Sequence, residues 1–165
     1  MHLLLRASLS LILAAALGQA APTLQFRGPA SKHAAITSGS TPASAAPGEK
    51  VTLFVDMTPN KGVHVYAPGA KDYLPVKVTL KSQSDVKAAG KLVYPKSESV
   101  FFAPLNETVP VFQKQFRMTQ DVTVAKTAKA GSTIAIEGTL DFQACDDQVC
   151  FVPESVPVNW TLSVK

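Results

Sequence analysis

Two cysteines, Cys145 and Cys150, are the reactive sulfurs of this 165-residue chain, with Asp146, Asp147, Gln148 and Val149 between them. A disulfide stabilises mainly by closing a loop in the unfolded chain. A ring this small contributes roughly 2 kcal/mol, against ~4.7 kcal/mol for a loop of about 100 residues. The spacing therefore suits a bond that is made and broken by thiolate attack better than one that staples a fold. Asp146 and Asp147 lie between the sulfurs, and carboxylates disfavour a neighbouring thiolate by like-charge repulsion. That pattern predicts thiols guarded in the free domain and competent in a complex. Asp-Asp is also ordinary turn chemistry, which needs no redox role.

Other chemistries fit less well. A thioredoxin-type site is C-x-x-C beside a βαβ pattern, and neither is present in the sequence. Two thiolates suit Cu(I) or zinc, but a structural zinc takes four ligands. Of the three histidines, His2 lies in the leader described below, His33 in a loose arm and His64 in a strand. No metal and no other cofactor is expected, with Cu(I) handling kept as a minor alternative. No serine or carboxylate constellation supports hydrolysis. The net charge is +4, with the lysines spread along the chain without a block. A basic patch for nucleic acid or a membrane surface needs clustering.

The elements that must hold the pair follow from the hydropathy pattern. Met1–Arg6, an apolar run from Ala7 to Leu17 and Gly18-Gln19-Ala20 have the form of a cleaved secretory signal. The apolar run is shorter than the ~20 residues that span a bilayer, so a protein free of the membrane is expected after cleavage. Export puts the cysteines where disulfides persist, with a Cys145–Cys150 bond as the resting state. Residues 21–33 read as a flexible arm, residues 34–165 as one domain, and Gly39–Gly48 as a long loop at its start.

From Val51 onward the signal is β. Val51–Met57, Val63–Tyr66, Val76–Leu80, Val109–Met118 with Val122 and Val124, Ile134–Phe142 and Val156–Val164 are apolar or alternating runs broken by turn residues. Period-two alternation at this spacing predicts an all-β, antiparallel β-sandwich. No helix of length is expected, only a short turn over Asp85–Gly90. On Ile134–Phe142 the even positions are large and apolar; Cys145 has the opposite parity, so its sulfur should point away from that core. The pair then sits at a hairpin hinge at one end of the sandwich. Trp160 shares its strand face with four apolar residues and is expected in the core.

Asp141-Phe-Gln-Ala-Cys145 followed by Cys150-Phe-Val-Pro153 resembles the Tyr-Gln-Gly/Ala-Cys…Cys-Tyr-Pro-Pro signature of the amino-terminal periplasmic domain of the thiol:disulfide interchange protein DsbD. Gly62-Val-His-Val-Tyr66 is similar to that family's Gly-aromatic-x-x-Tyr strand. Val93-Tyr-Pro-Lys-Ser-Glu98, with Leu105–Val111 after it, is similar to the aromatic-Tyr-Gly-Lys-Ser-Glu segment and the stretch that follows. The chain departs from the pattern in having four residues between the cysteines where the best-known members have five, and Glu154 for the second proline.

The resemblance implies an immunoglobulin-like sandwich that relays reducing equivalents in the periplasm. It assigns the intermolecular bond to Cys150 and its resolution to Cys145. Tyr66 and His64 match the aromatic positions beside the site, and Asp146 and Asp147 are possible accessories. A shielding cap would fall at Leu92, Val93 and Tyr94, with Phe101 or Phe102 as alternative cap aromatics. The implied donor is a thioredoxin-like domain of a separate membrane electron transporter, because the chain ends after the sandwich. The implied acceptors are oxidised periplasmic thiol–disulfide proteins. The plainer expectations are that Tyr66 is a packed aromatic, that His64 is a surface strand residue, that Phe101-Phe102 is core or a docking patch, and that the domain is an interaction module with an inert disulfide.

Overall fold

In the computed structural model, residues 26–27, 31–102 and 106–165 are described, and all their regular elements are strands. The signal segment 1–20 and Leu105 lie outside the described residues. The strands are β1 (Phe26–Arg27), β2 (Ala34–Thr41), β3 (Ser44–Ala45), β4 (Lys50–Pro59), β5 (His64–Tyr66), β6 (Lys77–Leu80) and β7 (Val86–Ala88). They continue as β8 (Glu98–Phe102), β9 (Glu107–Phe112), β10 (Phe116–Val124), β11 (Thr133–Phe142), β12 (Ala144–Cys145) and β13 (Glu154–Val164).

Two sheets form the sandwich. One runs β1-β2-β4-β10-β7 and the other β3-β13-β11-β6. Without the short edges, the first has the A-B-E-D order and the second the G-F-C order of an immunoglobulin-like domain. β3 lies parallel to β13. A third sheet, β12-β5-β9-β8, is set into this frame by insertions between its strands.

The alternation does what it predicts. Ile134, Ile136, Leu140 and Phe142 of β11 and Val156, Val158, Trp160, Leu162 and Val164 of β13 are buried in one core with Val51, Leu53, Val55 and Met57 of β4. Trp160 ties the layers, its indole N–H donating to the Phe54 carbonyl at 2.9 Å. Gly138 lets that ring approach: a Cβ there would lie 2.9 Å from the Thr79 carbonyl oxygen and 3.0 Å from Trp160.

Several sequence expectations need correction. Asp85–Gly90 holds the strand β7, not a turn, with Val122, Thr123 and Val124 as the partners of Ala88, Lys87 and Val86. Gly39–Gly48 is not one loop, because β2 runs to Thr41 and β3 pairs with Ser163 and Val164. The run Val109–Met118 divides after Phe112: β9 joins the small sheet and β10 the sandwich. Part of the proposed arm is held: Phe26 and Arg27 pair with Ser38 and Thr37, and the His33 carbonyl accepts from the Asn60 N–H at 2.9 Å. Such long-range backbone pairing is invisible to local composition.

Candidate functional site

The cysteines sit where the small sheet meets the end of β11. β11 ends at Phe142, and Gln143 separates it from β12, which pairs with β5 so that Cys145 lies opposite His64 and Ala144 opposite Val65. Leu140, Phe142 and Ala144 keep their even parity toward the main core. Cys145 points the other way but is not exposed. It is buried in a second cluster with Tyr66, Val109 and Val111, bordered by Tyr73, Val100 and Phe102. The insertion sheet supplies this second core, which strand parity alone does not reveal.

Cys145 and Cys150 form a disulfide, their Cα atoms 4.0 Å apart. The two ends differ: Cys145 is 1% exposed, while Cys150 lies at the surface. Asp146 shapes the ring between them, its Oδ1 accepting from the N–H groups of Gln148 at 2.8 Å and Val149 at 2.7 Å. Those two amide bonds are the leading reason its carboxyl is held below the usual carboxylate range. Asp146 thus carries out the turn chemistry anticipated for it. Asp147 is exposed.

Tyr66 stands against both sulfurs, its hydroxyl 3.2 Å from Cys145 Sγ and 3.4 Å from Cys150 Sγ. Disulfide sulfurs carry no proton, so the phenol is the donor. Burial pushes the Tyr66 phenol upward. Its ring stacks on Tyr73 with centroids 4.0 Å apart, and Tyr73 donates to Glu107. That bond is the first cause of a strongly raised Tyr73 phenol.

His64 is not at the surface. It is buried, 2% exposed, against Tyr66 and Phe102 at ring distances of 5.4 and 4.8 Å. Desolvation pulls its imidazole below the ordinary value, with Asp147 and Asp146 opposing that shift. Its Nε2 is buried and has no hydrogen-bond partner among the described residues. His33, read from sequence as part of the arm, stacks on Phe151 beside Cys150 with centroids 3.9 Å apart.

The expected cap segment is tied to the main sandwich. Leu92 and Tyr94 pack on the main core, Tyr94 donates to the Val76 carbonyl at 3.0 Å, and Val93 bridges to Thr119 of β10. Backbone pairing with the sandwich draws this segment to the main core. Phe102 borders the cysteine cluster instead, while Phe101 is exposed.

Residues that sequence reasoning missed complete the site. The Gln143 side chain accepts from Leu74 N–H and donates to the Phe151 carbonyl, both at 3.3 Å, clasping the loop before β6 to the loop between Cys150 and β13. Tyr73 and Glu107 gave no sequence signal, being 34 positions apart; Gln143 was inside the quoted motif. One surface hollow lies between β6, β11 and β13, lined by none of the cysteine-site residues. No group of three or more His, Cys, Asp or Glu residues among those described is placed to share a metal. The arrangement can exchange a disulfide at an exposed rim, with one sulfur presented and the other held in a polar-edged pocket.

A family model described as "Thiol:disulfide interchange protein DsbD, N-terminal" matches residues 35–160, both cysteines included. No curated protein sequence matches. Among solved structures, the chain is similar to the N-terminal periplasmic domain of ScsB from Proteus mirabilis, with a TM-score of 0.53 and 12% identity over 81% of this chain and 49% of that one. It thus spans about half the length of that structure, and the likeness is one of fold. It is also similar to the DsbD n-terminal domain of Neisseria meningitidis in the reduced form, with a TM-score of 0.41 and 15% identity over 65% of this chain and 74% of that one. The family match covers well over half of the sequence: the chain belongs to the family of DsbD N-terminal domains.

Proposed function

We propose that this domain works in the periplasm as a relay of reducing equivalents between other thiol proteins, through mixed disulfides. The asymmetry of the disulfide carries the reading: Cys145 is buried and Cys150 is at the surface. A partner thiolate can reach Cys150 and not Cys145. Cys150 therefore forms the intermolecular bond, and Cys145 leaves on reduction and resolves on reoxidation. Tyr66 supports this assignment, because a hydroxyl donating to the sulfurs stabilises negative charge on the departing one. Val149 and Val152, the latter 84% exposed, flank Cys150 and give a protein partner apolar surface to cover.

The donor in this reading is a thioredoxin-like domain of a membrane electron transporter, and the acceptors are oxidised periplasmic thiol–disulfide proteins. No helix among the described residues is long and apolar enough to cross a membrane.

The test is a covalent trap. Cys145→Ala, produced in the host periplasm, should accumulate adducts that vanish on reduction and that require Cys150. A clean monomer with Cys150 free would overturn the relay and leave an inert disulfide. The isolated domain gives a second check: a working couple lies above about −300 mV, and structural disulfides lie below it.

A further inference from the structure

A disulfide that opens must close again, so something other than the S–S bond has to keep Cys150 near Cys145. The residue after Cys150 is pinned in a way that does this. The Phe151 N–H donates to the Ala144 carbonyl at 2.9 Å, and the Phe151 carbonyl accepts from the Gln143 side chain at 3.3 Å. Both bonds tie Phe151 to the segment that carries Cys145. Its ring is held by a different part of the chain: His33 stacks on it, with centroids 3.9 Å apart and planes 11° apart.

His33 lies just before β2, far from the cysteines in sequence, and is itself anchored. Ser31 Oγ accepts from the N–H groups of His33 at 3.1 Å and Ala34 at 3.2 Å. The His33 carbonyl accepts from the Asn60 N–H, and the Lys32 carbonyl from the Asn60 side chain, both at 2.9 Å. Glu154, the first residue of β13, reaches back to the same segment. Its Oε2 accepts from the Lys32 N–H at 3.1 Å, and its Oε1 lies 3.9 Å from His33 Nε2. Residues 31–33 thus form a strap over the loop that follows the surface sulfur.

We propose that His33 is a positioning residue for Cys150, and that its stack on Phe151 and the Cys145–Cys150 bond strengthen each other. The bond fixes Cys150, and with it the neighbouring Phe151, so the ring stands ready for His33. The stack in turn limits the excursions of Cys150 in the dithiol, which raises the effective concentration of one sulfur at the other. Such coupling is reciprocal. Losing the stack makes the disulfide easier to reduce, and reducing the disulfide loosens the strap. The inference rests on the reading of this pair as one that cycles, and on no particular partner.

The experiment equilibrates the protein with mixtures of reduced and oxidised glutathione. The Cys150 thiolate attacks glutathione disulfide, and one glutathione leaves as a thiolate. The Cys145 thiolate then attacks Cys150, and the second glutathione leaves. The dithiol gives up two electrons, glutathione disulfide takes them, and the two thiol protons pass to the buffer or to the released glutathione. His33→Ala should shift the equilibrium toward the dithiol by about threefold, and by no more than about tenfold, the most that one aromatic pair supplies. Tenfold is about 30 mV for this two-electron couple.

His33→Phe keeps a flat ring against Phe151 and should return the equilibrium to near that of the parent. A strap that only supports the fold would weaken both redox states alike and leave the equilibrium unmoved. Hydrogen exchange reads the coupling in reverse. The Asn60 N–H, bonded to the His33 carbonyl, should exchange several-fold faster in the reduced protein, beyond any change in the amides of β13. An unmoved equilibrium in His33→Ala overturns the proposal, as does an equal shift in His33→Phe or an Asn60 amide indifferent to redox state. Failure of the cycling reading looks different: the parent stays oxidised in every glutathione mixture, and the effect of His33→Ala is then read in dithiothreitol mixtures.

Discussion

The domain holds two cores built on opposite terms. The sandwich core joins two sheets through an almost wholly apolar interior, with the buried Trp160 indole N–H satisfied by the Phe54 carbonyl. The insertion core is a small cluster around Cys145, and its members and immediate neighbours include a phenol, an imidazole and a disulfide. Apolar packing strengthens with area and close fit. A polar cluster strengthens only as far as its groups are paired, and each unpaired one costs stability. His64 Nε2 has no partner among the described residues. The large core makes the domain stand, and the small one keeps a chemically changeable set of groups in place. Substitutions should separate these roles, moving stability in one and exchange chemistry in the other.

The largest stability change belongs to the sandwich. Trp160→Ala removes a fully buried ring and its interlayer hydrogen bond, and should cost about 3–5 kcal/mol in urea unfolding. Gly138→Ala should also destabilise, since the new Cβ would meet Thr79 backbone at 2.9 Å and the Trp160 ring at 3.0 Å. If either variant remains folded, its disulfide should react with dithiothreitol at close to the parent rate. A marked change in that rate would show that the two cores are not separable.

Tyr66→Phe reverses the emphasis. The ring and its stack on Tyr73 remain, and the hydroxyl 3.2 and 3.4 Å from the sulfurs is lost. Stability should fall by only about 1 kcal/mol. Reduction of the disulfide should slow by roughly tenfold at most, because the departing Cys145 thiolate loses its donor. A fall in stability near that of Trp160→Ala, with exchange unaltered, would make Tyr66 a packing residue and nothing more.

The two cores were unequally legible in the sequence. Alternation along β11 and β13 identified the sandwich and its buried face, because a sheet with one wet side writes its burial into a period of two. The cysteine motif marked the site, and the likeness of Gly62–Tyr66 to a family strand named Tyr66 as its neighbour. The short strands β5, β8 and β12 are too brief for a period, and they bury residues by lying against an insertion. Hence His64 read as a surface residue. The cap at Leu92–Tyr94 came from the family resemblance instead, and that segment pairs with the sandwich through Thr119. His33, Tyr73 and Glu107 reach the site only through tertiary contacts.

A smaller effect is expected from His64, through pH. Burial is the leading cause that lowers its imidazole pKa from the ordinary 6.5, against the raising influence of Asp147 and Asp146. With the folded value depressed, the unfolded chain binds the proton first as pH falls, so folding loses stability below about 6.5 until the folded value is passed. Denaturation midpoints measured from neutral to mildly acidic pH should show this decline, and His64→Gln should flatten it. Asp146, also lowered, acts in a separate window, where its contribution is lost only as pH falls through the carboxylate range. An unchanged slope in His64→Gln would assign the decline to other groups.

The smallest expected effect distinguishes the two aspartates. Asp146 has its Oδ1 engaged by two amides of the ring, and an asparagine oxygen can accept the same bonds. Asp146→Asn should therefore keep the turn while removing a charge. Asp147 is exposed, and Asp147→Asn removes a charge with little else. If carboxylates guard the thiols by repulsion, each variant should speed alkylation of reduced Cys150 by iodoacetamide a few-fold at neutral pH. The gain should shrink in high salt, because exposed charges are screened there. No gain in either variant would reduce the Asp-Asp pair to turn geometry, and the guarding of Cys150 would then lie in the shape of the ring alone.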